Sequence, residues 1–104
     1  MDEKLQDQVN RICLDYTAAK YPALIVDTPT LLRRIGEEYG ELAEAVALTL
    51  GSSVKDSIAE ELADMLNTIL MLCSHLDLDA ETIILAKLQV LRDRTLKLRT
   101  TGSY

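Results

Sequence analysis

Both prolines of this 104-residue chain, Pro22 and Pro29, lie in its first third, and nothing after Pro29 forbids helix. Leu, Ala, Glu, Lys and Arg, all good helix formers, dominate the remainder of the chain, and no segment sustains the apolar–polar alternation of a strand. The chain is therefore expected to be all-α, with four helices. The first runs over about 3–19, with Leu5, Val9, Ile12, Cys13 and Tyr16 on one face. A loop over 21–28 lays Leu24, Ile25 and Val26 on the core. The second helix opens with Thr28 as cap and Pro29 in the first helical position, and Gly51 stops it. Its apolar stripe is Leu32, Ile35, Tyr39, Leu42, Val46 and Leu50. Ser53 caps the third, with Asp56 three residues on as in a capping box. The third stripe is Ile58, Leu62, Met65, Leu66, Ile69, Leu72, Cys73 and Leu76. After a turn at 77–79, the fourth helix runs to about 98, with Ile84, Leu88, Leu91, Thr95 and Leu98 inward. Short connections between the last three helices make neighbours antiparallel, so the expected architecture is a four-helix antiparallel bundle in one domain over 1–104.

Composition excludes several classes of function. Acids outnumber bases 17 to 11, and a net charge of −6 repels nucleic acid and anionic membrane alike. There is no Trp and no Phe, which argues against a platform for stacking single-stranded bases. Cys13 and Cys73 form no CxxC pair and are read as core fillers. The opening MDEKLQDQ has neither a basic nor an apolar region of a signal peptide, and the longest apolar run, around 69–73, is too short to span a bilayer. The expectation is a reduced, cytoplasmic protein that binds neither nucleic acid nor membrane.

The chemistry is concentrated between residues 37 and 64. Eight acids stand there against the single base Lys55, a net of −7 that exceeds the charge of the whole chain. Glu38 and Glu41 are spaced i, i+3 and share a helix face; Glu61 and Asp64 repeat the spacing. Folding the hairpin about Gly51 brings Glu38 level with Asp64 and Glu41 level with Glu61, since each pair averages to 51. Four carboxylates meeting at one level of an interhelical groove cannot all stay ionised without a cation, and oxygen-only donors suit Mg²⁺ or Mn²⁺. A solvated acidic face is the plainer alternative for any one such pair; two pairs mirrored about one turn favour the metal. Gly36 and Gly40, four apart beside the acids, each cost helix stability of ~1 kcal/mol relative to Ala. They serve either the close approach of a phosphate or helix, or tight packing alone.

The fourth helix is complementary in charge. Lys87, Arg92, Arg94, Lys97 and Arg99 stand against Asp93, a net of +4. Folded back about residue 78, this helix puts Arg92 level with Asp64 and Arg94 near Glu61, with Lys87 nearer Thr68. Lys87 and Arg94 are the candidates for holding a polyphosphate at the rim of the acidic site, and Lys97 and Arg99 are surface charges that suit a helix C-terminus. Other motifs fail. Asp77, Asp79 and Glu81 begin like a calcium loop, but Thr82 stands where Gly is needed and Leu88 where Glu is needed. A di-iron bundle needs Glu-x-x-His twice, and His75 is the only histidine. No phosphate-binding glycine loop, HExxH or GxSxG occurs.

The strings IGEEYGELAEAV and EELADML are similar to those of the MazG-like, all-α nucleoside triphosphate pyrophosphohydrolases. The likeness lies in EExxE (Glu37 to Glu41), nineteen residues, then ExxD (Glu61 to Asp64), and it covers about 28–95. It implies that Glu38, Glu41, Glu61 and Asp64 ligate Mg²⁺, and that the chain cleaves nucleoside triphosphates between the α and β phosphates, giving monophosphate and pyrophosphate. It implies phosphate-binding roles for Lys87 and Arg94. Where relatives carry Asn four residues after that Lys, this chain has Leu91, and where some stack the base on Trp, it offers Tyr16 or Tyr21. Glu37 and Glu60 are the spare carboxylates for a general base. Relatives assemble as dimers or tetramers, and a homo-oligomer is expected here. The competing readings are a non-catalytic helical adaptor, which does not need a mirrored quartet, and a pyrimidine-specific dUTP or dCTP hydrolase of the same kind.

Overall fold

Four helices account for nearly all of residues 2–48 and 55–102, the residues that the structure, a computed structural model, describes. They are α1 (Leu5–Lys20), α2 (Thr28–Leu48), α3 (Lys55–His75) and α4 (Ala80–Thr101), with no strand among the described residues. The all-α class and the four helices agree with the sequence. Leu50, the stop at Gly51 and the Ser53 cap lie outside the described residues, as does the side chain of Asp56.

Local chemistry sets the ends. The cap of α2 is Asp27, one residue before the expected Thr28: its Oδ1 accepts from the Thr30 N–H at 2.9 Å. A carboxylate there also meets the positive end of the helix dipole, which a hydroxyl does not. At the end of α3, Asp77 adopts a left-handed φ of 57°. The Leu78 N–H then reaches the Cys73 carbonyl at 2.8 Å and the Asp77 N–H reaches that of Ser74 at 3.1 Å, a Schellman closure. Asp79 caps α4, accepting from the Thr82 N–H at 3.0 Å.

Helices α2 and α3 form the central pair, and α1 packs on α3. Gln6 clips the start of α1 to the α3–α4 turn: its amide donates to the Leu78 carbonyl at 2.8 Å and accepts from the Ala80 N–H at 2.6 Å. The core is small. Leu31, Met71, Cys73 and Ala80 are its buried apolar residues, joined by Thr17, Glu38 and Thr68. Much of the expected stripe is therefore uncovered; Leu5, Tyr16, Leu32, Tyr39, Val46, Leu62 and Leu66 are all exposed.

The reason is the fourth helix. Every residue from 81 to 101 is exposed, so α4 does not fold back along the α2–α3 pair. The chain measures 56 × 41 × 30 Å and has a radius of gyration of 17.6 Å, against about 13 Å for a compact chain of this length. Ile84, Leu88, Leu91 and Leu98, expected inward, face outward. No described helix is long and apolar enough to cross a membrane.

Candidate functional site

The α2–α3 hairpin sets Glu38 opposite Asp64 and Glu41 opposite Glu61. Glu38 and Asp64 interact across the two helices, as do Glu41 and Glu61, while Glu38–Glu41 and Glu61–Asp64 interact along them. Each of the four carboxylates thus feels the charge of two others, and the four are called the carboxylate ring. Because the paired positions rise on one helix as they fall on the other, the ring also establishes that α2 and α3 run antiparallel.

Glu38 is the most enclosed member, only 8% exposed. Burial pushes its carboxyl up from the ordinary 4.5; the Thr68 hydroxyl and the Arg34 guanidinium pull it partly back, and Asp64 and Glu41 push it further up. Glu61 is half-buried, and its carboxyl is also raised, first by desolvation and then by the charge of Glu41 and a hydrogen bond with it. One oxygen of each, Glu38 Oε1 and Glu61 Oε2, is buried without a hydrogen-bond partner. A buried carboxylate oxygen left unmatched costs free energy, so each is a place for a cation or a proton. The donor set is carboxylate oxygen throughout, which suits Mg²⁺ or Mn²⁺. Among the described residues, no three His, Cys, Asp or Glu side chains form a group that holds a metal ion as they stand.

The ring borders a groove of about 1130 Å³ between α1, the 21–27 loop, α2 and α3. Glu37, Glu38, Glu41 and Asp64 line it, and Glu61 does not. Tyr16 and Tyr21 line it too, so both tyrosines share the groove with the acids. Lys20 joins them, its Nζ 5.7 Å from the ring centre of Tyr16 and 5.3 Å from that of Tyr21. Of the two spare carboxylates, Glu37 lines the groove and lies 3.9 Å from Arg33, whereas Glu60 is exposed and outside it.

Two expectations are corrected here. Lys87 and Arg94 lie outside the groove on the projecting α4, so the levels that align Arg92 with Asp64 and Arg94 with Glu61 do not occur within one chain. A side chain added at Gly36 or Gly40 would meet nothing within 4 Å, so neither glycine serves packing or close approach within the chain. Cys73 is buried as expected, while Cys13 is half-buried on the groove wall, its thiol pushed up by desolvation.

Sequence reasoning missed several polar residues of the groove, among them Thr17, Lys20, Arg33, Arg34, Asn67 and Thr68. Thr17 and Thr68 are 3% and 2% exposed. Thr68 lies four residues after Asp64, on the same face, and its hydroxyl donates to the Asp64 carbonyl at 3.1 Å. That i, i+4 relation to a candidate ligand was the available signal.

The family model of the MazG nucleotide pyrophosphohydrolase domain matches residues 27–95, a span that begins at the Asp27 cap and contains the whole carboxylate ring. No curated protein matches the chain.

Proposed function

The chain belongs to the MazG nucleotide pyrophosphohydrolase family, and from that premise we propose that it hydrolyses nucleoside triphosphates between the α and β phosphates, releasing monophosphate and pyrophosphate. The observation that carries this reading is the ring of Glu38, Glu41, Glu61 and Asp64 with its two unpartnered buried oxygens. A solvated acidic face has no use for two buried, unpartnered carboxylate oxygens beside two further carboxylates; a divalent-cation site does.

In this reading the four carboxylates hold Mg²⁺, or Mn²⁺ in its place. When bound, the ion neutralises phosphate charge and lowers the pKa of a water. The chain's own residues do the rest. The groove walls take up the nucleotide, and Tyr16 or Tyr21 offers a ring face to the base. Glu37, on the lining beside Arg33, is better placed than Glu60 to accept a proton from the attacking water. A role in removing unwanted nucleotides from the pool is consistent with the chemistry.

A second copy completes the molecule in this proposal. The exposed Ile84, Leu88, Leu91 and Leu98 on α4 form an apolar surface that a homodimer or homotetramer would cover. Such an assembly is also how Lys87 and Arg94 would approach a carboxylate ring, that of a neighbouring copy. Identification of the products formed from a panel of ribo- and deoxynucleoside triphosphates tests the function. Monophosphate with pyrophosphate is expected, and diphosphate with phosphate would contradict it.

A further inference from the structure

The α4 cations lie outside the groove of their own chain. Three cations line the groove, Lys20, Arg33 and Arg34. Lys20 is engaged by two tyrosine rings. Arg33 is paired, at 3.9 Å, with Glu37. Arg34 differs from both. It stands four residues before Glu38, the spacing at which Arg33 meets Glu37, yet it has no carboxylate within ion-pair distance among the described residues. Instead its Nη1 donates one long bond, 3.5 Å, to Oγ1 of the buried Thr17 on α1.

The side chain is half-buried, so it is held by its surroundings rather than waving in solvent. A guanidinium carries several N–H donors in a fixed fork. One long bond to a hydroxyl leaves most of that fork for another acceptor. It is close enough to Glu38 to pull that carboxyl's pKa down, which sets it beside the ring. A half-buried fork with spare donors, one helical turn from a carboxylate ring and on a groove wall, matches the bidentate geometry of phosphate oxygens.

We infer that Arg34, steadied by Thr17, is the phosphate-gripping residue of the groove, binding the triphosphate directly and independently of the metal ligands. This assignment rests on the proposed nucleotide-hydrolysing function. Arg34 supplies positive charge to the polyphosphate from the same chain that supplies the carboxylates.

The test compares wild type with Arg34→Ala, Arg34→Lys and, as a control for lost charge away from the groove, Arg11→Ala. Arg11 is exposed and paired with Glu3 at 2.8 Å. Three quantities are read: KM for the triphosphate that wild type cleaves best, competitive inhibition by inorganic pyrophosphate, and the rise in Tm on adding Mg²⁺ alone. Arg34→Ala should raise KM and weaken pyrophosphate inhibition about tenfold to a hundredfold, as for loss of a charge-assisted contact. Arg34→Lys should recover only part, because an ammonium cannot make the forked contact. The Mg²⁺-induced Tm rise should persist in both, and Arg11→Ala should match wild type. Unchanged KM in Arg34→Ala overturns the assignment while leaving the function standing. Loss of the Mg²⁺ response with it overturns it too, by making Arg34 a support of the carboxylates. A wild type that cleaves no triphosphate overturns the function and the assignment together.

Discussion

Glu38 concentrates the logic of the site in one residue. Its carboxyl is buried, raised in pKa by that burial, and has one oxygen without a partner. The direction of the shift makes a pH prediction. Between the ordinary value of 4.5 and the raised folded value, the folded state binds a proton that the unfolded state has lost. Stability therefore falls as pH rises through that window, and the fall is complete above it. Glu38→Gln removes this titration. In the absence of metal the variant should be more stable than wild type at neutral pH and should lose that part of the pH dependence. Added Mg²⁺ should then raise the Tm of wild type by several degrees and leave the variant nearly unmoved, since only a native-state ligand stabilises. Melting curves across pH, with and without Mg²⁺, check both halves; an equal response to Mg²⁺ in the two proteins would contradict the role of Glu38. The opposition of Glu38 to Asp64 and of Glu41 to Glu61 was legible in the sequence because helix rise and an antiparallel hairpin reduce to arithmetic on residue numbers. Thr17 and Arg34 were not. Thr is commonplace on helices, and the contact of Arg34 with Thr17 joins two helices whose relative placement no local pattern encodes.

At the scale of elements, helix spans were read within a few residues and caps less well. Asp27 and Thr28 are both good capping residues, and propensity alone does not choose between neighbours. The structure resolves the choice through the Thr30 N–H bond to Asp27. The glycines of α2 carry a prediction of their own. An added Cβ at Gly36 meets no atom within 4 Å, so Gly36→Ala gains helix propensity without a clash. It should stabilise the chain by ~1 kcal/mol, seen as an increased denaturant midpoint. Destabilisation instead would mean that a second copy or another segment lies against that face of α2.

At the scale of the molecule, the divergence between sequence and structure lies in α4. Amphipathic spacing predicts that Ile84, Leu88, Leu91 and Leu98 are covered, and the spacing cannot say by what. The fold-back onto the same chain was the economical answer, and the structure has the helix standing away. We expect a homo-oligomer that buries this face. Light scattering on the eluting protein should give a mass at least twice 11.6 kDa. Replacing Leu88 and Leu91 with Glu should shift it toward the monomer, and a wild-type monomer at high concentration would contradict the proposal.

The proposed activity requires the carboxylate ring to be a Mg²⁺-dependent centre for cleavage of the α–β phosphoanhydride. The most direct measurement is pyrophosphate and monophosphate release from the triphosphate panel by wild type and by Asp64→Asn, with and without Mg²⁺. Wild type should release equal amounts of the two products with Mg²⁺ and none without it. Asp64→Asn should lose about a hundredfold or more, the scale at which removing one group that stabilises transition-state charge is felt. Full turnover by Asp64→Asn, or turnover by wild type without any divalent cation, would contradict a metal-dependent ring.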